Sequence, residues 1–249
     1  MALSIINSIS SLIKTKKNTQ VAQPVPNEWF SFDTSTFTGT SVKNLGSNGT
    51  AQNGTVLFAT QNNTSKAKVG NGCLYIVNSP QSYFYYTPLA VTNGTVSIAF
   101  WYYPVTAGTN QTILSYPYNG ILAFSQTSGS NAIIRWFMSG NGTAAVNSTV
   151  PVGVWSHIVW IMIPNGSGGT IHRIYINGVY NTTDSNAATT YFTVTVPKTV
   201  TTGVGTGWLG ISINSNPSTL NASLYIDDYR LYNNYVLTAT DIAYLYSLK

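Results

Sequence analysis

From Trp29 onward the chain is a succession of short runs rich in Val, Ile, Tyr, Phe and Trp, each closed by Gly, Asn, Ser or Thr. The clearest are VSIAFWYY (96–103), HIVWIMI (157–163), RIYI (173–176), YFTVTV (191–196) and LYIDDYRLY (224–232). β-Branched and aromatic side chains suit a pleated, half-buried surface, so these runs are expected as strands. Asn177-Gly178 stands between RIYI and Val179-Tyr180. That pair favours a two-residue hairpin, because both central positions of the tightest turn need a positive φ. Strands that follow strands without helices between them can bury their apolar faces only against each other, in a sandwich or a barrel. One helix is expected at the end of the chain. Thr238 and Asp241 have the spacing of a capping box, with Asp in the usual Glu/Gln place, and Ile242, Leu245 and Tyr246 then face inward.

The opening residues follow a different rule. Ile5, Ile6, Ile9, Leu12 and Ile13 recur with helical spacing on one face, Leu3 extends the stripe, and Ser4 is placed to cap it. Lys14, Lys16 and Lys17 close the segment, where a helix dipole favours cations. A helix this short is marginal alone in water and needs a surface to lie on. Residues 1–17 are therefore expected as an amphipathic arm, 18–28 as an extended linker with Pro24 and Pro26, and 29–249 as one β-domain. Leu3, Ile5, Ile6, Ile9, Leu12, Ile13, Lys14, Lys16 and Lys17 form the candidate partner-binding set. Three lysines with no Trp or Phe make a weak membrane helix, which ranks a protein groove above lipid as the target. The segment does not read as a signal peptide, because its charge follows the apolar part and Ser and Asn interrupt that part.

Composition narrows the partners. Only 7% of residues are charged, against roughly 25% in an ordinary domain. With 43% hydrophobic residues, disorder is not the reason. The polar half is Asn, Ser and Thr, a surface suited to packed, wet interfaces. The net charge of +5 reflects scarcity of acids; from Trp29 onward eight Lys/Arg meet five Asp, leaving +3. No basic run or aromatic–basic interleaving reads as a nucleic-acid surface. Cys73 is the single cysteine, so no intrachain disulfide can form, which points to a reducing compartment.

Six segments, in order, resemble the laminin G-like branch of the concanavalin A-like lectin/glucanase superfamily. WFSFDTST (29–36) looks like its opening strand and loop, VGNGCLYI (69–76) like its second strand entry, and VSIAFWYYP (96–104) like a strand whose Trp packs between sheets. VWSHIVW (154–160) is similar to the family's Trp-x-His segment and RIYINGV (173–179) to its Asn-Gly hairpin. LYIDDYRLYNNYVLTATDIAYLY (224–246) resembles its last strand and terminal helix. The resemblance implies an all-β, two-sheet antiparallel jelly-roll sandwich. It does not imply a function, because that fold hosts lectins, glycosidases and structural proteins.

Catalysis is not expected. Glycoside hydrolysis needs two carboxylates flanking the scissile bond, but the single glutamate, Glu28, falls in the expected linker. Asp227 and Asp228 are neighbours on a strand and point apart; Asp227 is expected to tie down a loop and Asp228 to face solvent. Ser156 and His157 likewise face apart, with no acid placed to orient the imidazole. Trp101, Trp155, His157 and Trp160 are expected as buried framework, with His157 hydrogen-bonded inside the fold. His172 is expected as a strand residue and Cys73 as a small core residue. No metal or cofactor is expected. Of the aromatic candidates for stacking on sugar, Tyr83, Phe84, Tyr85 and Tyr86 form the densest run, and at least half are free to lie outside the core. The leading expectation is a non-catalytic structural protein of a large assembly, a minor capsid or surface protein of a large DNA virus. Such a protein would be assembled in the cytoplasm, reside in the virion, and have other structural proteins as partners. The alternative is a lectin-like carbohydrate-binding or adhesion module.

Overall fold

The structure, a computed structural model, describes residues 22–57, 61–77, 83–86, 95–105, 111–116, 121–128, 130–137, 144–164, 170–181, 186–188, 207–209 and 223–248. The arm, with Leu3 to Lys17, lies outside the described residues, as does the expected strand 191–196. The first strands are β1 (Glu28–Phe30), β2 (Phe37–Thr38), β3 (Ser41–Val42), β4 (Gly54–Leu57), β5 (Gln61–Asn63), β6 (Cys73–Ile76), β7 (Tyr83–Tyr86), β8 (Val96–Pro104) and β9 (Gln111–Tyr116). They are followed by β10 (Ile121–Ser128), β11 (Asn131–Phe137), β12 (Ala144–Pro151), β13 (Ser156–Pro164), β14 (Thr170–Ile176), β15 (Val179–Tyr180), β16 (Asn186–Ala188), β17 (Gly207–Leu209) and β18 (Leu224–Asn233). One helix, α1 (Ala239–Ser247), closes the fold.

The strands form two antiparallel sheets. One runs β15-β14-β13-β8-β18-β6-β5, with β1 beside β18 and β16 beside β14; the other runs β12-β11-β10-β9-β17-β7-β4-β3-β2. The core lies between them. Leu74, Ile76, Ile98, Phe100, Tyr102, Ile158, Trp160, Leu224 and Ile226 of the first sheet meet Val42, Val56, Phe84, Tyr86, Ile134 and Val150 of the second. Alternation along each strand explains the set, because every second residue points the same way. At the centre Phe30 meets Phe84 edge-on at 4.9 Å, and Phe32 does so at 5.2 Å. Gly54 lies against the Phe84 ring, so this aromatic packing leaves no room for a Cβ there. In the run 83–86, Phe84 and Tyr86 are core and Tyr85 is half-buried.

α1 covers part of the outer face of the first sheet. Its Ile242 and Leu245 pack on Ala99, Val159, Ile161 and Tyr232, a second apolar cluster. The capping box is formed: Thr238 Oγ1 accepts from the Asp241 N–H, and Asp241 Oδ2 accepts from the Thr238 N–H at 2.8 Å. Tyr246 departs from the expected inward position. It is 41% exposed and rests on the rings of Trp101 and His157 at the margin of the helix. The expected hairpin is also formed, with Asn177 at φ 53° and Gly178 at φ 79°.

The first strand starts one residue before the expected domain boundary. Glu28 is in register with Leu231 of β18, and its carboxylate, fully buried, accepts from Asn44 Nδ2 and, at 2.6 Å, from Asn48 Nδ2. A lone acid between Asn27 and Trp29 carries no periodic signal of burial, and its amide partners lie 16 and 20 residues away.

Candidate functional site

The titratable groups come first, because they decide whether chemistry is available. Asp227 points to the outer face of the first sheet and is buried under the loop 64–72. Its Oδ2 accepts the N–H of Lys68 at 2.8 Å and of Val69 at 2.9 Å. Burial pushes its carboxyl up to about 8, against the opposing pull of those two N–H groups. The expected loop tie is present. Asp228 does not face solvent: it is 4% exposed and sits at a break in register between β18 and β8 with φ 48°. The bulge swings its carboxylate onto Arg230, Nη2 at 3.0 Å, and onto the Trp29 indole N–H at 2.8 Å. Asp33 accepts the Asn71 N–H, and Asp241 is used in the helix cap. Asp184 lies outside the described residues.

The side-chain hydrogen bond expected of His157 inside the fold is found instead at His172, a strand residue as expected. His172 is the one hydrogen-bonded inside the sandwich, with its Nδ1 accepting from the Trp160 indole N–H at 3.2 Å. His157 faces outward between Trp101 and Tyr246, and its Nδ1 has no partner. The polar contact at this position belongs to its main chain, whose N–H donates to Asn177 Oδ1. Burial holds both imidazoles neutral, His157 down to about 3 with help from Arg230 and His172 to about 4. Cys73 is fully buried, and its Sγ donates to the Asn63 carbonyl at 3.3 Å. Burial, then the nearby Asp227, raises the thiol to about 12, far from a nucleophile. Among the described residues no three His, Cys, Asp or Glu side chains converge on one point.

What the outer face does present is a line of aromatic rings. Tyr75 of β6 is in register with Tyr225 of β18, and Tyr225 with Tyr103 of β8. Trp155, just before β13, continues the line. Tyr75 and Tyr225 stack at 4.4 Å, Tyr103 meets Tyr225 edge-on at 5.6 Å, and Trp155 meets Tyr103 at 5.5 Å. All four rings are half-buried, beside Val154 at 50% exposure. Burial and then Tyr75 raise the Tyr225 hydroxyl, so it remains a neutral donor and acceptor. Two lysines of the loop 64–72 complete the surface: Lys66 Nζ lies over Tyr103 at 5.1 Å and Lys68 Nζ over Trp101 at 4.4 Å. Of the expected framework, Trp160 is buried between the sheets. Trp101, expected there too, is buried instead on the outer face with His157, under Lys68 and Tyr246, because it has the opposite parity to Ile98 and Phe100. Trp155 belongs to the aromatic surface.

The row was legible only in part. CLYI, VSIAFWYYP and LYIDDYRLY alternate inward and outward residues, and the outward set contains Tyr75, Trp101, Tyr103 and Tyr225. Their convergence depends on strand order and register, which alternation within one strand does not encode.

Two stacked antiparallel sheets, with a C-terminal helix on one outer face and an aromatic surface beside it, define a jelly-roll sandwich of laminin G-like type. The chain belongs to the concanavalin A-like lectin/glucanases superfamily, whose family model matches residues 77–243. No curated protein matches the sequence. Among solved structures, the botulinum neurotoxin serotype D binding domain superposes with a TM-score of 0.59 at 13% identity, over 89% of this chain and 51% of that one. The serotype D ligand binding domain in complex with N-acetylneuraminic acid gives 0.55 at 13% identity, over 89% and 50%. Domain 4 of a GH43 extracellular arabinanase from Geobacillus stearothermophilus, in complex with arabinotriose, gives 0.58 at 18% identity, over 91% of this chain and 100% of that domain. The chain thus spans about half the length of the neurotoxin domains it matches, and at these identities the likeness is one of fold.

Proposed function

We propose that this protein is a carbohydrate-binding module that does not cleave its ligand, and that the row Tyr75–Tyr225–Tyr103–Trp155 is where a sugar lies. The row carries the reading. Aromatic rings offer an apolar body and a polar edge, which suits the C–H faces and hydroxyl rim of a sugar. It is also continuous over three strands and the approach to a fourth, long enough for more than one sugar unit. Ligand complexes among the structural neighbours support the reading, with arabinotriose bound in one and N-acetylneuraminic acid in another. The acids among the described residues support retention of the ligand intact. Glu28, Asp33, Asp227, Asp228 and Asp241 each accept from groups of the fold itself, whereas hydrolysis needs a pair open to substrate.

A glycan array with the full chain tests this, followed by titration of the strongest ligand against Tyr225→Ala and Trp155→Ala. Each variant should lose about tenfold in affinity or more while the thermal transition stays cooperative. Undiminished binding by both variants would place the site elsewhere, and cleavage of a bound oligosaccharide would end the non-catalytic reading.

A second reading, that the protein is a structural component of a large assembly such as a virion, draws on the amphipathic stripe of the arm. In that reading Ile5, Ile9 and Leu12 dock into a groove of a neighbouring protein, and the sandwich displays its outer face from that anchor.

A further inference from the structure

Resting on the aromatic row as the sugar platform, we propose that its ligand is an anionic glycan, whose carboxylate or sulfate is received by Lys66 and Lys68. Both lysines come from the loop 64–72, which turns back over the outer face of the first sheet. The loop is held through its main chain. Asp227 Oδ2 takes the N–H groups of Lys68 and Val69, and Asn63 Oδ1 takes those of Ser65 and Lys66 at 3.1 Å each. The lysine side chains are therefore not needed to shape the loop, yet both lie over aromatic rings.

Tyr103 and Trp101 are two residues apart on β8 and so share a face, with about 7 Å of strand between them. The two ammonium groups consequently stand along one line crossing the aromatic row near its middle. Each is attracted to the π-face beneath it, and each has three N–H donors, which a ring face cannot saturate.

Nothing in the described structure answers these charges. Among the described residues the ion pair joins Arg230 and Asp228, at the far side of the bulge. Glu28, Asp33 and Asp241 are engaged elsewhere, as set out above. Asp227 meets the loop from below through main-chain N–H groups and is fully buried. Two cations beside a stacking surface, with no carboxylate among the described residues opposite them, favour a sugar that brings its own negative charge. A neutral sugar would use the rings and leave both charges unanswered.

The experiment uses the full chain and five probes: sialyllactose and a hyaluronan tetrasaccharide as carboxylated sugars, a heparin tetrasaccharide as a sulfated one, and lactose and cellotetraose as neutral ones. Calorimetric titration should give at least one anionic probe an affinity about tenfold or more above both neutral sugars. That advantage should shrink as NaCl rises from about 0.05 to about 0.5 M. In K66Q/K68Q it should fall about tenfold with the thermal transition unmoved, because the loop is tied by its backbone. Preference for the carboxylated over the sulfated probes, or the reverse, identifies the anion. Equal binding of neutral and anionic sugars, indifferent to K66Q/K68Q, overturns the charge assignment and leaves the platform standing. Anionic binding that K66Q/K68Q abolishes but Tyr225→Ala and Trp155→Ala leave intact overturns the proposal as a sugar site. So does equally tight binding of a polyglutamate peptide. If the folded protein binds none of the five and no array sugar, the carbohydrate reading itself falls.

Discussion

At the scale of single residues, the two histidines and Asp227 set opposite responses to pH. His157 and His172 are kept neutral by burial, at about 3 and 4 in the folded chain against an ordinary value near 6.5. As pH falls from 6.5 the unfolded chain takes up these protons and the folded chain does not, so stability is lost across that window. Each histidine removes about 1.4 kcal/mol per pH unit. Asp227 works the other way. Its folded value, raised to about 8, means that the folded chain holds a proton the unfolded chain gives up from about pH 4 upward. Between pH 6.5 and about 4 the three groups leave a net loss near one proton, about 1.4 kcal/mol per pH unit. Urea midpoints measured across this range should fall accordingly in the native protein, flatten in His172→Gln and steepen in Asp227→Asn. Midpoints that rise on acidification would refute the buried-neutral assignment. The residue scale is also where sequence reasoning was least able to see. Strict alternation places Asp228 in solvent, whereas the bulge gives it a left-handed backbone and partners at Trp29 and Arg230. A bulge is set by cross-strand register, and Trp29 is 199 residues away.

Elements held by local chemistry were legible in full. The Asn177-Gly178 hairpin and the Thr238/Asp241 cap each lie within four residues, so their φ values and hydrogen bonds follow from residue types alone. The loop 64–72 is a mixed case. That Asp227 ties a loop was readable, but which loop depends on β18 lying beside β6. Asp227→Ala should release it. The N–H groups of Lys68 and Val69 lose their acceptor, at about 1–3 kcal/mol for each buried donor left unmet. Hydrogen exchange at residues 66–70 should then accelerate about tenfold or more, while the amides of β8 keep their protection. Unchanged exchange at Lys68 and Val69 would mean that Asn63, or the Asp33–Asn71 contact, holds the loop alone.

For the molecule as a whole, the division of labour falls between the two faces of the first sheet. Its inner face is core, and its outer face is shared between α1 and the aromatic row. The inner set follows a period of two, as Ile98, Phe100, Ile158 and Trp160 show. That period leaves the outer face undivided, because nothing in a strand says which outward residues a distant helix will cover. The arm is the remaining whole-molecule question. On the reading that the arm docks into a larger assembly, deleting residues 1–20 leaves a folded sandwich with an unchanged thermal transition that no longer enters that assembly. Normal incorporation of the truncated chain would set the docking reading aside. One consequence of the loop's construction reaches further. Because main-chain groups hold residues 64–72 in place, the side chains at 66 and 68 can be exchanged without redesigning their support. Recognition can thus drift among related chains while the scaffold stays the same, and replacing both lysines by glutamate offers a direct route to a module that prefers cationic ligands.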